Sequence, residues 1–202
     1  MKKVKSTTRG RPSRRPEIIA AALELIRTQG LARITTRSIA EQAGCSEAAL
    51  YVHFESRLKL LLAVLEESLP EMLVPLRALE QSIGSSTPQQ NLTKALRAIF
   101  AFHEHVVPMV CGLFADTELL TAYRESLTDN NKGPQGAITR IQRYIAAEQR
   151  LGRLDKKLDA DLAATTLMAT SFFKAFTSQF LGQPGPSDAA LKKIVATAIN
   201  KN

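Results

Sequence analysis

Thr35 to Phe54 reads TTRSIAEQAGCSEAALYVHF, two short helical segments joined by a tight turn. Thr35 suits an N-cap, because its hydroxyl can accept from a backbone N–H that the first turn leaves unpaired. Ile39, Ala40 and Ala43 then fall at i, i+1 and i+4, which gives one small apolar face. Gly44 follows, the residue type most willing to take the left-handed conformation that ends a helix. Ser46 suits the cap of a second helix, where Ala49, Leu50 and Phe54 recur at three- and four-residue spacing. A helix, a short turn containing glycine and a second helix is the layout of a helix-turn-helix, whose second helix lies in the major groove of DNA.

Around this stretch the charge is unevenly placed. Residues 1–60 carry 12 Lys and Arg against 5 acids, while residues 61–202 carry 15 against 14. A basic first segment on a nearly neutral remainder is the electrostatic footprint of a phosphate-binding module. Residues 1–15 hold seven of those positive charges and no acid, and read as a flexible basic arm. Within it Arg9-Gly10-Arg11-Pro12 suits either insertion into a narrow minor groove or plain phosphate attraction.

At 202 residues with 45% apolar composition, the chain is long enough to bury a real core. No uninterrupted run approaches the roughly 20 apolar residues of a membrane span, and no apolar signal segment follows the basic N-terminus. A soluble cytoplasmic protein is the expectation. Cys45 and Cys111 stand far apart without metal-type spacing. Free thiols are the default reading, with a redox sensor as the alternative.

Elsewhere the periodicity is helical, and the fold class expected is all-α. Pro16 and Gly30 bracket a first helix with Ile19, Ala22, Leu23 and Ile26 on one face; Leu31 and Ile34 close a three-helix core. A long amphipathic helix starts at Ser56, carrying Leu58, Leu61, Leu62, Leu65, Leu69, Met72 and Leu76, with Pro70 and Pro75 to kink or divide it. After the break Gly84–Pro88, a helix is expected over 89–107, punctuated by Pro108, then a short apolar piece over 109–114. Further helices are expected over 117–127, to near Gly152, over 159–181, and along Leu191, Ile194, Val195 and Ile199, with a polar loop over 129–134.

No catalytic constellation is visible. His103 and His105 sit two apart on different helix faces, without a nearby cysteine or paired carboxylate. No glycine loop cradles phosphate and no nucleophile elbow occurs. The expectation is a non-enzyme with no cofactor and no metal.

The residue types sharpen the pattern. Thr35-Thr36-Arg37, Ile39-Ala40, Ala43-Gly44, Ser46 and Leu50-Tyr51-x-His53-Phe54 closely resemble the DNA-binding domain of the tetracycline-repressor (TetR) family. The resemblance runs from about Pro16 to about Leu65. It implies an N-terminal three-helix head (16–60) joined to a larger helical body (61–202) for effector binding and dimerisation. By that resemblance Ser46 to Phe54 is the recognition helix, Glu47, Ala48 and Ala49 face base edges, and Tyr51 and His53 reach phosphates. Arg57 stands where the family usually carries lysine and can clamp phosphate bidentately. Thr36 and Arg37 should also touch phosphate, with Arg37 in reach of a guanine edge.

Departures from the family bear on specificity. The recognition helix holds no Lys, Arg, Asn or Gln to read a purine. Glu47 suits either acceptance from cytosine N4 or simple stabilisation of the helix N-terminus, and Ala48, Ala49 and Val52 suit thymine methyls. Cys45 replaces the usual valine and reads as a small buried hydrophobe.

The resemblance also implies an effector cavity in the body, for a small molecule of apolar or aromatic character. Phe100, His103, Met109, Phe114, Tyr144, Met168 and Phe172 are candidates for its wall, with ordinary core as the other reading of each. The last two helices should form a homodimer face, where Ala163, Ala164, Ala169 and Thr170 permit close approach and Leu191 and Val195 line the second helix. A two-fold dimer would present two recognition helices to successive major grooves of a near-palindromic operator. The function so implied is repression relieved by an effector. A transcriptional activator or nucleoid-type DNA binder without an effector is the alternative.

Overall fold

A computed structural model describes residues 13–68, 70–129 and 134–200, and the described residues contain helices and no strand. The arm residues Arg9 and Arg11, Leu69 and most of the expected 129–134 loop lie outside them.

The first helix, α1 (Arg15–Gln29), begins with Pro16 in its first turn and ends against Gly30. α2 (Thr36–Gln42) opens on a capping box: the Thr35 hydroxyl accepts from Ser38 N, and Ser38 Oγ accepts from Thr35 N. Gly44 turns the chain at φ +65°, in the left-handed region. α3 (Glu47–His53) then starts at Ser46, whose hydroxyl accepts from Ala49 N at 3.1 Å. α4 (Arg57–Ser68) and α5 (Pro70–Gln81) follow, with Pro75 held inside α5 without ending it. The remainder is α6 (Pro88–Leu113), α7 (Thr117–Asp129), α8 (Pro134–Arg150), α9 (Ala160–Leu181) and α10 (Asp188–Ile199).

Two large cores share the burial. The first joins Ile18, Ile26, Ile39, Leu50 and Leu61 from α1–α4 to Met109, Leu113 and Leu119 from α6 and α7. The second lies among α5, α6, α8, α9 and α10, around Leu76, Leu96, Tyr144, Leu167 and Val195. α6 therefore enters both. The apolar interior of the head continues into the body, and α4 crosses the boundary that the sequence suggested near residue 60.

α6 corrects the expectation that Pro108 ends a helix. It runs on to Leu113, and Val107, Met109 and Leu113 are all buried along this stretch. That burial offsets the hydrogen bond that proline cannot donate to the carbonyl four residues back. The carbonyl concerned is that of Glu104, and Gln179 Nε2 of α9 reaches it at 3.5 Å. By length and composition α6 is apolar enough to cross a membrane, with mean hydropathy 1.2 over an 18-residue window, although the sequence offers no uninterrupted apolar run of that length. Here it packs against α5, α9 and α10 within the protein.

Where α6 meets the head, Gly112 lies against Leu31. A Cβ at Gly112 would sit 2.6 Å from Leu31 Cβ, so only glycine permits this approach.

Candidate nucleic-acid interface and body cavity

The α2–turn–α3 unit presents its residues in two ways. Leu50 and Phe54 are buried in the first core, while Ser46, Glu47, Ala48, Tyr51 and Val52 are exposed. Ala49 and His53 are half-buried. Thr36 is buried and donates its hydroxyl to Glu47 Oε1, so one carboxylate oxygen of Glu47 already has a partner within the head. Tyr51 Oη lies 3.5 Å from the same Thr36 oxygen, at the limit of a hydrogen bond. Arg37 is exposed and pairs with Glu41 one turn on, at 3.0 Å.

Sequence reasoning passed over several groups here. Arg14 Nη1 donates to Gly44 O at 2.6 Å, which ties the start of α1 to the turn before the recognition helix. A cleft of ≈ 430 Å³ runs along that side, lined in part by Arg14, Cys45, Ser46, Val52 and His53. Cys45 is half-buried, packed against the first core on one side and lining this cleft on the other. Arg57 Nη1 lies 3.5 Å from Asp116 Oδ2 in the turn between α6 and α7. Arg15 stands over the Phe54 ring, 5.3 Å from its centroid, and pairs with Glu67.

In the body, an apolar cavity of ≈ 350 Å³ opens between α4, α5, α6, α7 and α9. Four of the residues suggested for an effector wall line it: Met109, Phe114, Met168 and Phe172. The other three do not. Phe100 packs with Val107 and Ala175 in a separate small cluster. Tyr144 is fully buried in the second core; Asn91 Nδ2 donates to its hydroxyl at 3.0 Å, and burial pushes its pKa up to about 12. His103 stands one layer behind the wall, with its ring 5.6 Å from Phe172 and 5.8 Å from Phe102, which both line the cavity. Its Nδ1 is 2.9 Å from Ser171 Oγ, and desolvation pushes its pKa down to about 4.

The wall also draws on Leu65 of α4, Phe102 and Val106 of α6, and Leu120 and Tyr123 of α7, none of which sequence periodicity could assign to a cavity. Among the described residues, Arg124 is the one charged side chain in the lining. A larger cleft of ≈ 480 Å³ lies between head and body, but Arg15, Lys59, Glu55, Glu66 and Glu125 line it and it stands open to water. The apolar space, partly open where Phe114 and Phe172 reach solvent, is the better match to a small-molecule site, because desolvating an apolar ligand supplies the driving force.

The residues expected at a dimer face divide by burial within the chain. Ala163, Ala164, Leu191 and Val195 are buried inside the chain, where small side chains let α9 pack closely on its neighbours. Ala169 is exposed and Thr170 half-buried. The outward side of α9 carries Leu162, Phe173 and Phe180, at 63%, 60% and 75% exposure. Their separations of about three and two helical turns put them on one face.

Comparisons with known proteins agree with this architecture. The family model described as bacterial regulatory proteins, tetR family, matches residues 18–64. A second, described as the C-terminal domain of AefR-like transcriptional repressors, matches residues 118–201. The nucleoid occlusion factor SlmA of Aliivibrio fischeri is 48% identical over 63 residues, 29% of this chain and 32% of that protein. The transcriptional activator FasR of Mycolicibacterium smegmatis is 35% identical over 96 residues, 47% of this chain and 42% of that protein. The matched part thus spans about a third of the length of such curated relatives. Among solved structures, a TetR-family regulator of Mesorhizobium loti superposes with TM-score 0.73 at 19% identity, covering 92% of both chains. FadR of Bacillus subtilis, solved with stearoyl-CoA, gives TM-score 0.68 at 19% identity, covering 92% of this chain and 97% of that one. With its head and the end of its body matched to models of one family and its fold shared with solved members, this chain belongs to the TetR family of DNA-binding transcriptional regulators.

Proposed function

We propose that the chain acts as a homodimeric repressor of an operator, released from DNA by a small apolar molecule. The observation that carries this reading is the pairing of two features in one chain. One is an exposed recognition helix flanked by Arg14, Arg37 and Arg57; the other is an apolar cavity whose walls reach α4 and the α6–α7 turn.

In this reading Tyr51, His53, Arg37 and Arg57 fix α3 on phosphates, and the arm around Arg9 and Arg11 adds salt-sensitive attraction. The apolar stripe Leu162–Phe173–Phe180 of α9 meets its two-fold copy, which sets two recognition helices about 34 Å apart. An effector in the body cavity touches Met109, Phe114, Met168 and Phe172 and favours the dimer whose heads no longer fit that spacing. Its leverage equals its difference in affinity for the two states. The apolar wall suits an aliphatic chain or an aromatic ring, and the FadR structure with stearoyl-CoA shows that this fold accommodates an acyl-chain ligand in that protein. Cytoplasmic location, on the nucleoid when DNA is bound, goes with this role.

A second reading is supported by the SlmA match, which falls at 48% identity on 63 residues. In it the head binds sites across the chromosome without an effector, or activates transcription as the name of FasR, 35% identical over 96 residues, says of that protein.

The test is a competition gel-shift at near-physiological salt, using the intergenic DNA upstream of the protein's own gene against an unrelated duplex. Selective retention that the combined Tyr51→Phe and Arg57→Ala variant abolishes, and that an apolar effector reverses, supports the repressor. Selective retention that no apolar ligand reverses favours the second reading. Equal binding to both duplexes moves the target elsewhere, and no binding removes the proposal.

A further inference from the structure

We infer that α3 reads the 5-methyl groups of thymine in the major groove, through Ala48 and Val52. This rests on the DNA-binding reading above and names what the recognition face selects.

The argument starts from which side chains α3 leaves facing outward. Glu47, Ala48, Tyr51 and Val52 are exposed, and Val52 reaches 81% exposure, the highest among the exposed large apolar side chains. The two polar members are turned toward α2. Glu47 accepts from the Thr36 hydroxyl, and Tyr51 Oη lies 3.5 Å from that same oxygen. The free oxygen of Glu47 can only accept, so it repels the N7 and O6 acceptors of guanine. No side chain on the outward surface of α3 offers the paired donors that guanine requires.

What remains outward is methyl surface. Ala48 and Val52 are one turn apart on the same side, about 6 Å along the helix, which spans about two base steps. In the major groove, thymine alone presents a methyl group, and apolar side chains recognise it by excluding water. Charge complementarity fixes the partner as duplex nucleic acid. Arg14 is anchored on Gly44 O beside the cleft that Val52 lines, Arg37 is exposed on the neighbouring helix, and the first 60 residues carry 12 cations against 5 acids. Exposed methyls inside a ring of phosphate-binding groups make an apolar reader.

The experiment selects a duplex from a random pool with the full-length protein, then replaces thymidine by deoxyuridine at one position at a time. That change removes a methyl and leaves pairing and phosphates intact. Binding is followed by fluorescence anisotropy at fixed salt. One or two positions in each half-site should lose about fourfold affinity per methyl. Val52→Ala should weaken the discrimination between thymidine and deoxyuridine at the position Val52 faces and leave that at the Ala48 position, while Val52→Ile keeps both. An enriched site whose deoxyuridine versions bind equally well overturns the inference and leaves the DNA-binding reading standing. So does a Val52→Ala protein whose discrimination is unchanged at every position. A pool that yields no enriched sequence overturns sequence-specific reading and the inference together.

Discussion

Arg57, the first residue of α4, places its guanidinium Nη1 3.5 Å from Asp116 Oδ2, joining the head to the turn between α6 and α7. The other oxygen of Asp116 accepts from Leu119 N at 3.0 Å and so steadies the start of α7. On either side of this turn, Leu113, Phe114 and Leu120 line the body cavity. One carboxylate thus stands between the cavity wall and the side chain proposed to clamp phosphate. Asp116→Asn keeps the cap and removes the charge. It should raise operator affinity by up to about fivefold, the range of a partly exposed ion pair, and the gain should shrink with added salt. Fluorescence anisotropy across a salt series checks this; unchanged affinity at low salt would mean that Asp116 does not compete with phosphate for Arg57.

Gly112 and Leu31 provide the steric joint between α6 and the head. Gly112→Ala would put a Cβ 2.6 Å from Leu31 Cβ, so α6 or the α1–α2 connection must shift. The expected loss is about 1–3 kcal/mol in urea unfolding. Leu31→Gly removes that Cβ, so in a double-variant cycle Gly112→Ala should cost less in the Leu31→Gly background than in the wild type; strictly additive losses would mean that the contact with Leu31 is not what Gly112 relieves.

His103 makes stability depend on pH in a defined window. Burial depresses its pKa from 6.5 to about 4 in the folded chain, and Ser171, Phe102 and Phe172 beside it are uncharged. The unfolded chain therefore binds the extra proton first as pH falls. This contribution is fully present above about 6.5, is lost as pH falls toward about 4, and changes no further below that. It amounts to at most about 3 kcal/mol. Urea midpoints at pH 7.5 and 5 for the wild type and His103→Asn should differ in slope, with the variant flatter; parallel profiles would show that His103 does not titrate in this window.

The exposed stripe on α9 predicts an assembly defect without a folding defect. Phe173 is 60% exposed in the single chain, so Phe173→Glu should leave the far-ultraviolet spectrum nearly unchanged, while the unfolding midpoint loses its dependence on protein concentration. Sedimentation velocity should show a monomer where the wild type sediments as a dimer, and operator affinity should fall with it. A Phe173→Glu protein that remains dimeric would place the interface elsewhere.

Much of the head was legible because its signals are local. Thr35, Gly44 and Ser46 act through backbone hydrogen bonds and φ within a few residues, so the positions of α2 and α3 followed from residue types alone. The exposure of Tyr51 and the burial of Leu50 follow from helical periodicity in the same way. The body was less legible. Pro108 is a local stop signal, and burial of Met109 and Leu113 across the fold overrode it. Ala163 and Ala164 looked suited to a partner chain, yet the same small side chains serve close packing inside one chain. Neither outcome can be read from spacing, since both depend on what lies opposite.

The sequence by itself determined an all-helical chain, a helix-turn-helix over residues 35–54 and a basic first segment, because caps, turns, periodicity and charge act over one or two helical turns. Only the tertiary structure decided that Glu47 bonds to Thr36, that Asp116 meets Arg57, and that Met109, Phe114, Met168 and Phe172 face one cavity while Phe100 and Tyr144 do not. Those pairings join residues up to dozens of positions apart. Which of them meet is set by how the helices pack around α6, and helix packing is a property of faces brought together in space, not of any one stretch of chain.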